Sequence, residues 1–171
     1  PWIRHRLITE VELLEVILGH HSFQAAERFV HEVFWRTYFK GWLEQHPGVW
    51  TAYQVDLRRQ IKSVGKDRRL AANYTQAMAG ETGIDCFDAW ADELVRTGYL
   101  HNHARMWFAS IWIFTLQLPW TLGADFFLRH LIDGDPASNT LAWRWVAGIQ
   151  TKGRPYIARA SNIAKFTNQK F

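Results

Sequence analysis

Three clusters of polar and aromatic residues in this chain have the types and spacing to do chemistry. The first is Glu32, Trp35 and Arg36, whose spacing of three and four residues puts them on one face of a helix. A carboxylate, an indole and a guanidinium together suit a polar aromatic ligand. The alternative is a surface ion pair beside a half-buried tryptophan. The first cluster therefore predicts either a ligand pocket or a structural pair.

The second cluster is Asn102, Arg105 and Met106, which also share one helix face. Arg105 opens an apolar stretch and would need a carboxylate partner if it were buried. We therefore expect an acidic group from elsewhere in the chain to lie against it.

The third cluster is the turn Asp133-Gly134-Asp135, followed by Asn139, Trp143 and Trp145. Two carboxylates two residues apart can pair with Arg105 and also accept a ring N–H. Each cluster alone is more often structural than functional, so it is their joint occurrence in this order that predicts a site.

Metal and membrane functions are not favoured by the sequence. The pairs His20-His21 and His101-x-His103 would point to different sides of a helix, so we expect neither to chelate a metal. The stretch from Met106 to Ala124 is uncharged, but Pro119 interrupts it, which favours a buried helix over a membrane span.

Charge and composition narrow the class of partner. The 171 residues carry a net charge of +4 and include ten tryptophans and one cysteine, Cys86. Between Pro136 and Phe171 there are six basic residues and no acidic one. Such a segment indicates a polyanion partner, or alternatively a solubilising surface. The single cysteine excludes an intrachain disulfide and suits a reducing compartment.

The hydrophobic periodicity is helical throughout, which predicts an all-α fold. Capping signals lie at Thr9, Ser22, Asp67 and Asp85. The predicted helices run from Thr9 to about Gly19, then 22–44, 51–62, 67–78, 85–97, 99–116, 122–132 and 136–146. After Gly148 no regular pattern is predicted.

The order of motifs resembles the FAD-binding helical domain of the DNA photolyase/cryptochrome family. The motifs are Glu-x-x-Trp-Arg, Thr-Gly-x-x-x-x-x-Asp, Gly-Tyr-Leu-His-Asn-x-x-Arg-Met, Leu-Ile-Asp-Gly-Asp-x-Ala-x-Asn and Trp-x-Trp. The resemblance covers 1–171 as a single multi-helix globular domain. It places the family's phosphate clamp and α/β antenna domain before Pro1 and a last helix after Phe171, so we expect a domain truncated at both ends.

The resemblance implies FAD as the cofactor. By position, Asn139 matches the amide facing the flavin N5, and Arg105 and Asp133 match an ion pair beside the isoalloxazine ring. Asp135 matches the acid at the pyrimidine edge, in the same turn as Gly134. The positions nearer the phosphate and adenine are matched by Phe29 and Arg36.

The resemblance also implies a pocket for a pyrimidine dimer flipped out of DNA. The matching residues are Glu32, Trp35, Asn102, Met106 and Trp145. Indole faces can hold the two rings, while a carboxyl and an amide can read base edges. The implied reaction is light-driven electron transfer from reduced FAD to the dimer, as in a deoxyribodipyrimidine photo-lyase.

Electron transfer within this family implies a relay of three tryptophans. Trp143 and Trp120 match the inner two, whereas the outer one falls at about Ala77. Trp90, Trp107 and Trp112 are substitutes that the sequence alone does not place.

Two other functions stay open at this stage. One is a cryptochrome-type blue-light sensor without repair activity, and the other is a helical nucleic-acid-binding or structural domain without a cofactor. For the first reading we expect a monomer that contacts dimer-containing DNA and no membrane, in the cytoplasm.

Overall fold

The computed structural model describes residues 2–171, and within that range the regular structure is entirely helical, which confirms the all-α prediction. The elements are α1 Glu10–His20, α2 Phe23–Gln45, α3 Pro47–Val64, α4 Arg68–Ala79, α5 Asp85–Thr97, α6 Asn102–Ser110, a π-helix Ile111–Thr115, α7 Trp120–His130, α8 Pro136–Val146 and α9 Ala160–Phe166.

Side chains cap several helices where the sequence predicts it. The Thr9 hydroxyl accepts from the Glu12 amide at 3.2 Å, and the Glu12 carboxylate accepts from the Thr9 amide at 2.8 Å. This second hydrogen bond stabilises the anion and lowers the pKa of Glu12. Ser22 caps α2 and Asp67 caps α4. The first-turn N–H groups that a helix cannot pair internally are thereby satisfied.

Two helices begin before their predicted starts. Helix α3 begins at Pro47 instead of Thr51, because a proline fits the first turn, where its missing N–H is not needed. Helix α7 begins at Trp120 instead of Leu122.

The predicted cap at Asp85 is wrong. The N-cap position of α5 is Ile84, and its side chain makes no capping hydrogen bond. The carboxylate of Asp88 instead accepts from the backbone N–H groups of Thr82 and Gly83 at 3.0 and 2.9 Å.

The long predicted helix 99–116 is divided in two. Helix α6 begins only at Asn102, because His101 is extended and its ring accepts from the His103 amide at 3.3 Å. After Ser110 the chain continues as a π-helix, in which the Leu116 amide donates to the Ile111 carbonyl. His101 therefore lies outside the helix, and its ring centroid is 5.5 Å from that of His103. The expectation that these rings point apart is wrong for that reason.

Helix α9 lies where no regular structure is predicted. The Trp107 indole donates to Asn162 Oδ1 at 3.1 Å, and the Ala158 amide donates to the Ser110 hydroxyl at 2.8 Å. Ile163 is buried in the same region. Helix α9 is therefore held against α6 by contacts that are distant in sequence.

The core is centred on α7, which packs against α3, α5 and α8. Its side chains meet a layer of aromatic rings, with Phe87 stacked on Phe108 at 4.1 Å between ring centroids. Helix α8 also packs against α2 and α6. Consequently α8 connects the helices that carry all three sequence clusters.

Among residues 2–171, no helix is both long enough and apolar enough to cross a membrane.

Candidate functional site

The turn before α8 places a buried carboxylate at the meeting point of α2 and α8. Asp135 is only 5% exposed. Its Oδ1 accepts from the amides of Ala137 and Ser138 at 3.0 and 3.1 Å, which caps α8. The capping bonds fix the carboxylate and leave Oδ2 for other partners.

Three cations converge on Oδ2 of Asp135. Lys40 Nζ lies at 3.5 Å, Arg4 Nε at 3.7 Å and Arg36 Nη2 at 3.8 Å. Arg36 Nε is also 3.6 Å from Glu10. The positive charge of the group exceeds the negative charge of its two acids. The site therefore attracts an additional anion.

Arg36 has hydrogen-bonding capacity that its neighbours do not use. Its Nε and Nη2 atoms are buried and make no hydrogen bond within the described chain. Buried polar groups are normally paired, because desolvation without a partner is costly. An acceptor oxygen on a bound ligand would supply the missing partner.

A cavity of about 430 Å³ opens beside this group. Arg4, Lys40, Trp50 and Asp135 are among the residues that line it. A polar floor beside an indole can accommodate a ligand that has both an anionic and an aromatic part.

Gly134 is required by close packing in the same turn. A Cβ at this position would lie 3.0 Å from the carbonyl oxygens of Leu128 and Leu131. The Gly134 carbonyl accepts from Arg4 Nε at 3.2 Å. A side chain here would push the acidic turn away from α7.

Arg105 finds its expected carboxylate partner in Asp133. Its Nη2 lies 3.3 Å from both carboxylate oxygens, and its Nε donates to the Leu100 carbonyl at 2.8 Å. The guanidinium carbon also lies 5.7 Å from the centre of the Tyr99 ring. The geometry thus joins the second and third sequence clusters.

Asn139 is held firmly on the buried face of α8. Its side-chain amide donates to the Ala124 carbonyl at 2.7 Å. Trp143 follows one turn later on the same face and is also buried. The two side chains therefore lie along one line of α8.

The residues matched to a base pocket are largely exposed. Trp35 is 51% exposed on α2 and contacts the Tyr38 ring edge-on at 5.3 Å. Trp145 is 40% exposed on α8 and stacks on Tyr156 at 5.5 Å. The remaining members are Glu32 and Asn102, both exposed, and Met106, which is half-buried. Phe29, matched to the cofactor side, is 42% exposed.

The two tryptophans matched to the relay lie in different ring contacts. Trp143 meets Phe127 at 5.1 Å and Trp112 at 6.2 Å, in both cases edge to face. Trp120 is half-buried and meets Tyr53 at 5.6 Å. Of the three substitutes, only Trp112 contacts a matched tryptophan, since Trp90 and Trp107 stack on each other at 5.6 Å.

Comparison with known proteins decides the family. The model described as the FAD binding domain of DNA photolyase matches residues 29–170. The chain belongs to this family.

Individual relatives of this photolyase-type domain agree. The deoxyribodipyrimidine photo-lyase of Streptomyces griseus is 37% identical over 75% of this chain and 27% of the relative. That of Alkalihalophilus pseudofirmus is 32% identical over 91% of this chain and 32% of the relative. A bacterial class III photolyase from Agrobacterium tumefaciens, solved by crystallography, covers 97% of this chain with 26% identity and a TM-score of 0.75. The chain spans about a quarter to a third of the length of these curated relatives.

FAD is the cofactor of this domain family. The residues present fit such a group on the chain's own geometry. The unpaired Arg36 nitrogens and the surplus cations around Asp135 suit a phosphate, and the neighbouring cavity includes the Trp50 indole. The photolyase-type domain thus offers cationic and aromatic groups side by side.

The sequence did not single out two of the cations in this photolyase-type site. Lys40 lies four residues after Arg36 on α2, a spacing that could have indicated a shared face. Arg4 precedes the first helix and carried no local signal, since its partner Gly134 lies 130 residues further along the chain.

Proposed function

We propose that this chain takes part in light-driven, FAD-dependent repair of pyrimidine dimers in DNA. The observation that carries the proposal is the pair of indoles Trp35 and Trp145. Both are about half exposed, on helices α2 and α8, which pack against each other. Exposed indole faces on adjoining helices are suited to stacking extruded bases.

The polar members of the pocket would read the edges of the bases. Glu32 lies one turn before Trp35 on α2, so its carboxylate can accept from a base N–H. Asn102 opens α6 and offers both a donor and an acceptor. Met106 lies one turn later and adds an adaptable apolar contact.

The buried residues would hold the cofactor. When bound, reduced FAD supplies an electron to the dimer after absorbing near-UV or blue light. Arg36 would bind a phosphate, since its free nitrogens need acceptors. Arg105, Asp133 and Asn139 would orient the ring system, because hydrogen bonds already fix all three side chains.

DNA would approach along the C-terminal segment. Lys152, Arg154 and Arg159 are exposed there, and no acidic residue follows Asp135. Basic side chains on such a segment neutralise phosphates and position the duplex without reading its sequence. We expect the affinity for DNA to fall steeply as salt is raised.

The test uses the flavin-loaded, reduced chain with an oligonucleotide that contains one thymine dimer. Blue light should remove the dimer and darkness should not, as measured by chromatography of the products. Glu32→Ala should weaken binding of the damaged oligonucleotide. Glu27→Ala is the matched control, because Glu27 is also an exposed glutamate on α2.

If flavin is visibly bound and light removes no dimer, repair is refuted and a cryptochrome-type sensor takes its place. If no flavin absorbance accompanies the purified protein, both flavin-dependent readings are refuted.

A further inference from the structure

The chain contains a continuous path of aromatic rings that leads from its buried centre to its surface. Trp143 and Trp112 are edge to face with ring centroids 6.2 Å apart. Trp112 and Tyr74 are edge to face at 6.0 Å. Trp143 and Trp112 are buried, whereas Tyr74 is partly exposed on α4. Electron tunnelling weakens steeply with distance, so rings in contact exchange electrons much faster than separated ones.

The path ends on the helix that lacks an expected tryptophan. The outer relay position corresponds to Ala77, which is fully buried on α4. Tyr74 lies three residues earlier on the same helix, and therefore on the same face. A redox-active ring thus remains available on α4 even though the indole is absent.

The middle ring is positioned by an unusual piece of backbone. Trp112 lies in the π-helix Ile111–Thr115. Short π-helical segments are uncommon and frequently occur at functional sites. The Trp112 indole donates to the Pro119 carbonyl at 3.0 Å. A carbonyl is too weak a base to take the indole proton, so an oxidised Trp112 would keep it and pass the electron deficit on.

The outer ring has a route for its proton. The Tyr74 hydroxyl oxygen accepts from Arg129 Nη2 at 3.3 Å, and this hydrogen bond is exposed to solvent. Its own hydrogen is therefore available to water. Arg129 is held in turn by Asp125 at 2.8 Å.

A competing path runs through Trp120, Tyr53 and Trp50, at 5.6 and 5.2 Å. Tyr53 is 3% exposed, and its hydroxyl makes no hydrogen bond within the described chain. Burial, reinforced by the charge of Asp125, raises the pKa of Tyr53. A phenol that cannot release its proton is a poor terminal donor, so the geometry favours Tyr74.

We propose that Trp143, Trp112 and Tyr74 form the path that photoreduces the oxidised flavin, with Tyr74 as the terminal donor. Trp143 gives one electron to the photoexcited oxidised flavin and is refilled by Trp112, which is refilled by Tyr74. The O–H bond of Tyr74 breaks as its electron leaves, and the proton goes to water. A thiol reductant in solution then returns a hydrogen atom to the tyrosyl radical. This inference rests on the proposed function only for the bound flavin.

The test is radical spectroscopy of the flavin-loaded, oxidised protein after a blue-light pulse. Time-resolved absorption and electron paramagnetic resonance should show a long-lived tyrosyl radical. The signal should be lost in Tyr74→Phe and in Trp112→Phe. Tyr53→Phe is the matched control and should keep it, and circular dichroism checks that each variant is folded.

A tyrosyl signal that survives in Tyr74→Phe would overturn the proposal, and its loss in Tyr53→Phe would assign the exit to the competing path. Failure of the repair function is distinguished separately. Wild-type protein whose flavin has been reduced chemically needs no photoreduction. Absence of repair under those conditions refutes the function and leaves the radical path intact.

Discussion

The carboxylate of Asp133 lies 3.3 Å from Nη2 of Arg105, which ties the turn before α8 to the first turn of α6. The two side chains are 30% and 25% exposed, so the ion pair is partly shielded from water. Neighbouring Gly134 and Asp135 belong to the cationic group on the other side of the same turn. A single turn therefore couples two parts of the candidate cofactor site.

Replacing Asp133 by Asn should disturb both halves of the site. The loss of the ion pair is expected to lower the free energy of unfolding by about 1 kcal/mol. It should also reduce the fraction of flavin retained after gel filtration. Asp92→Asn is the control, since Asp92 and Arg96 form an exposed pair and should contribute little. Equal effects of the two substitutions in urea unfolding would contradict the assignment.

Replacing Asp135 by Asn should be more damaging. Asn keeps the cap on α8 but removes the only charge that faces Lys40, Arg4 and Arg36 together. Breaking a buried charge network is expected to cost about 3 kcal/mol. Asp67→Asn is the matched control, because Asp67 caps α4 from an exposed position. Urea unfolding measures both, and a small change in the Asp135 variant would show that the cations do not depend on it.

Replacing Gly123 by Ala should displace the inner tryptophan. A Cβ there would lie 2.3 Å from the Trp143 ring, in a fully packed region. Overpacking of this kind is expected to cost about 1–3 kcal/mol. Gly41→Ala is the control, because nothing lies within 4 Å of its Cβ position in α2. The control should gain up to about 1 kcal/mol from helix propensity. The same sign for both variants in urea unfolding would contradict the packing argument.

The protein should lose stability in mild acid partly through His130. Burial and the nearby Arg129 charge lower the pKa of His130 from its ordinary 6.5. The unfolded chain therefore takes up a proton first as the pH falls below 6.5. The contribution is complete above that pH and is lost as the pH falls through the lower value in the folded state. His130→Asn should flatten the dependence of the unfolding free energy on pH in this window. An unchanged slope would exclude His130 as its source.

Local interactions explain which parts of the fold could be predicted. The caps at Thr9, Ser22 and Asp67 involve partners within three residues, so a short stretch of sequence contains the whole interaction. The spacing of Arg105 and of the acidic turn likewise indicated an ion pair. The chemical roles of these residues stay predictions, since only the pairing itself is seen.

Contacts between distant segments account for what the sequence did not predict. Helix α9 depends on a hydrogen bond between Trp107 and Asn162, 55 residues apart. Helical periodicity also continues smoothly through Ile111–Thr115, so it does not distinguish a π-helix from an α-helix. The pairing of Trp112 with Tyr74 follows from how α4 packs in the core, which no local pattern encodes.

Helix α1 buries none of its side chains. It is retained by its capping box and by the contact of Glu10 with Arg36 at 3.6 Å. Segments with so little burial open locally at a small free-energy cost while the rest of the molecule stays folded. Each opening of α1 withdraws Glu10 from Arg36. The affinity of Arg36 for an incoming anion is therefore set partly by the fraying equilibrium of a helix that does not itself line the cavity.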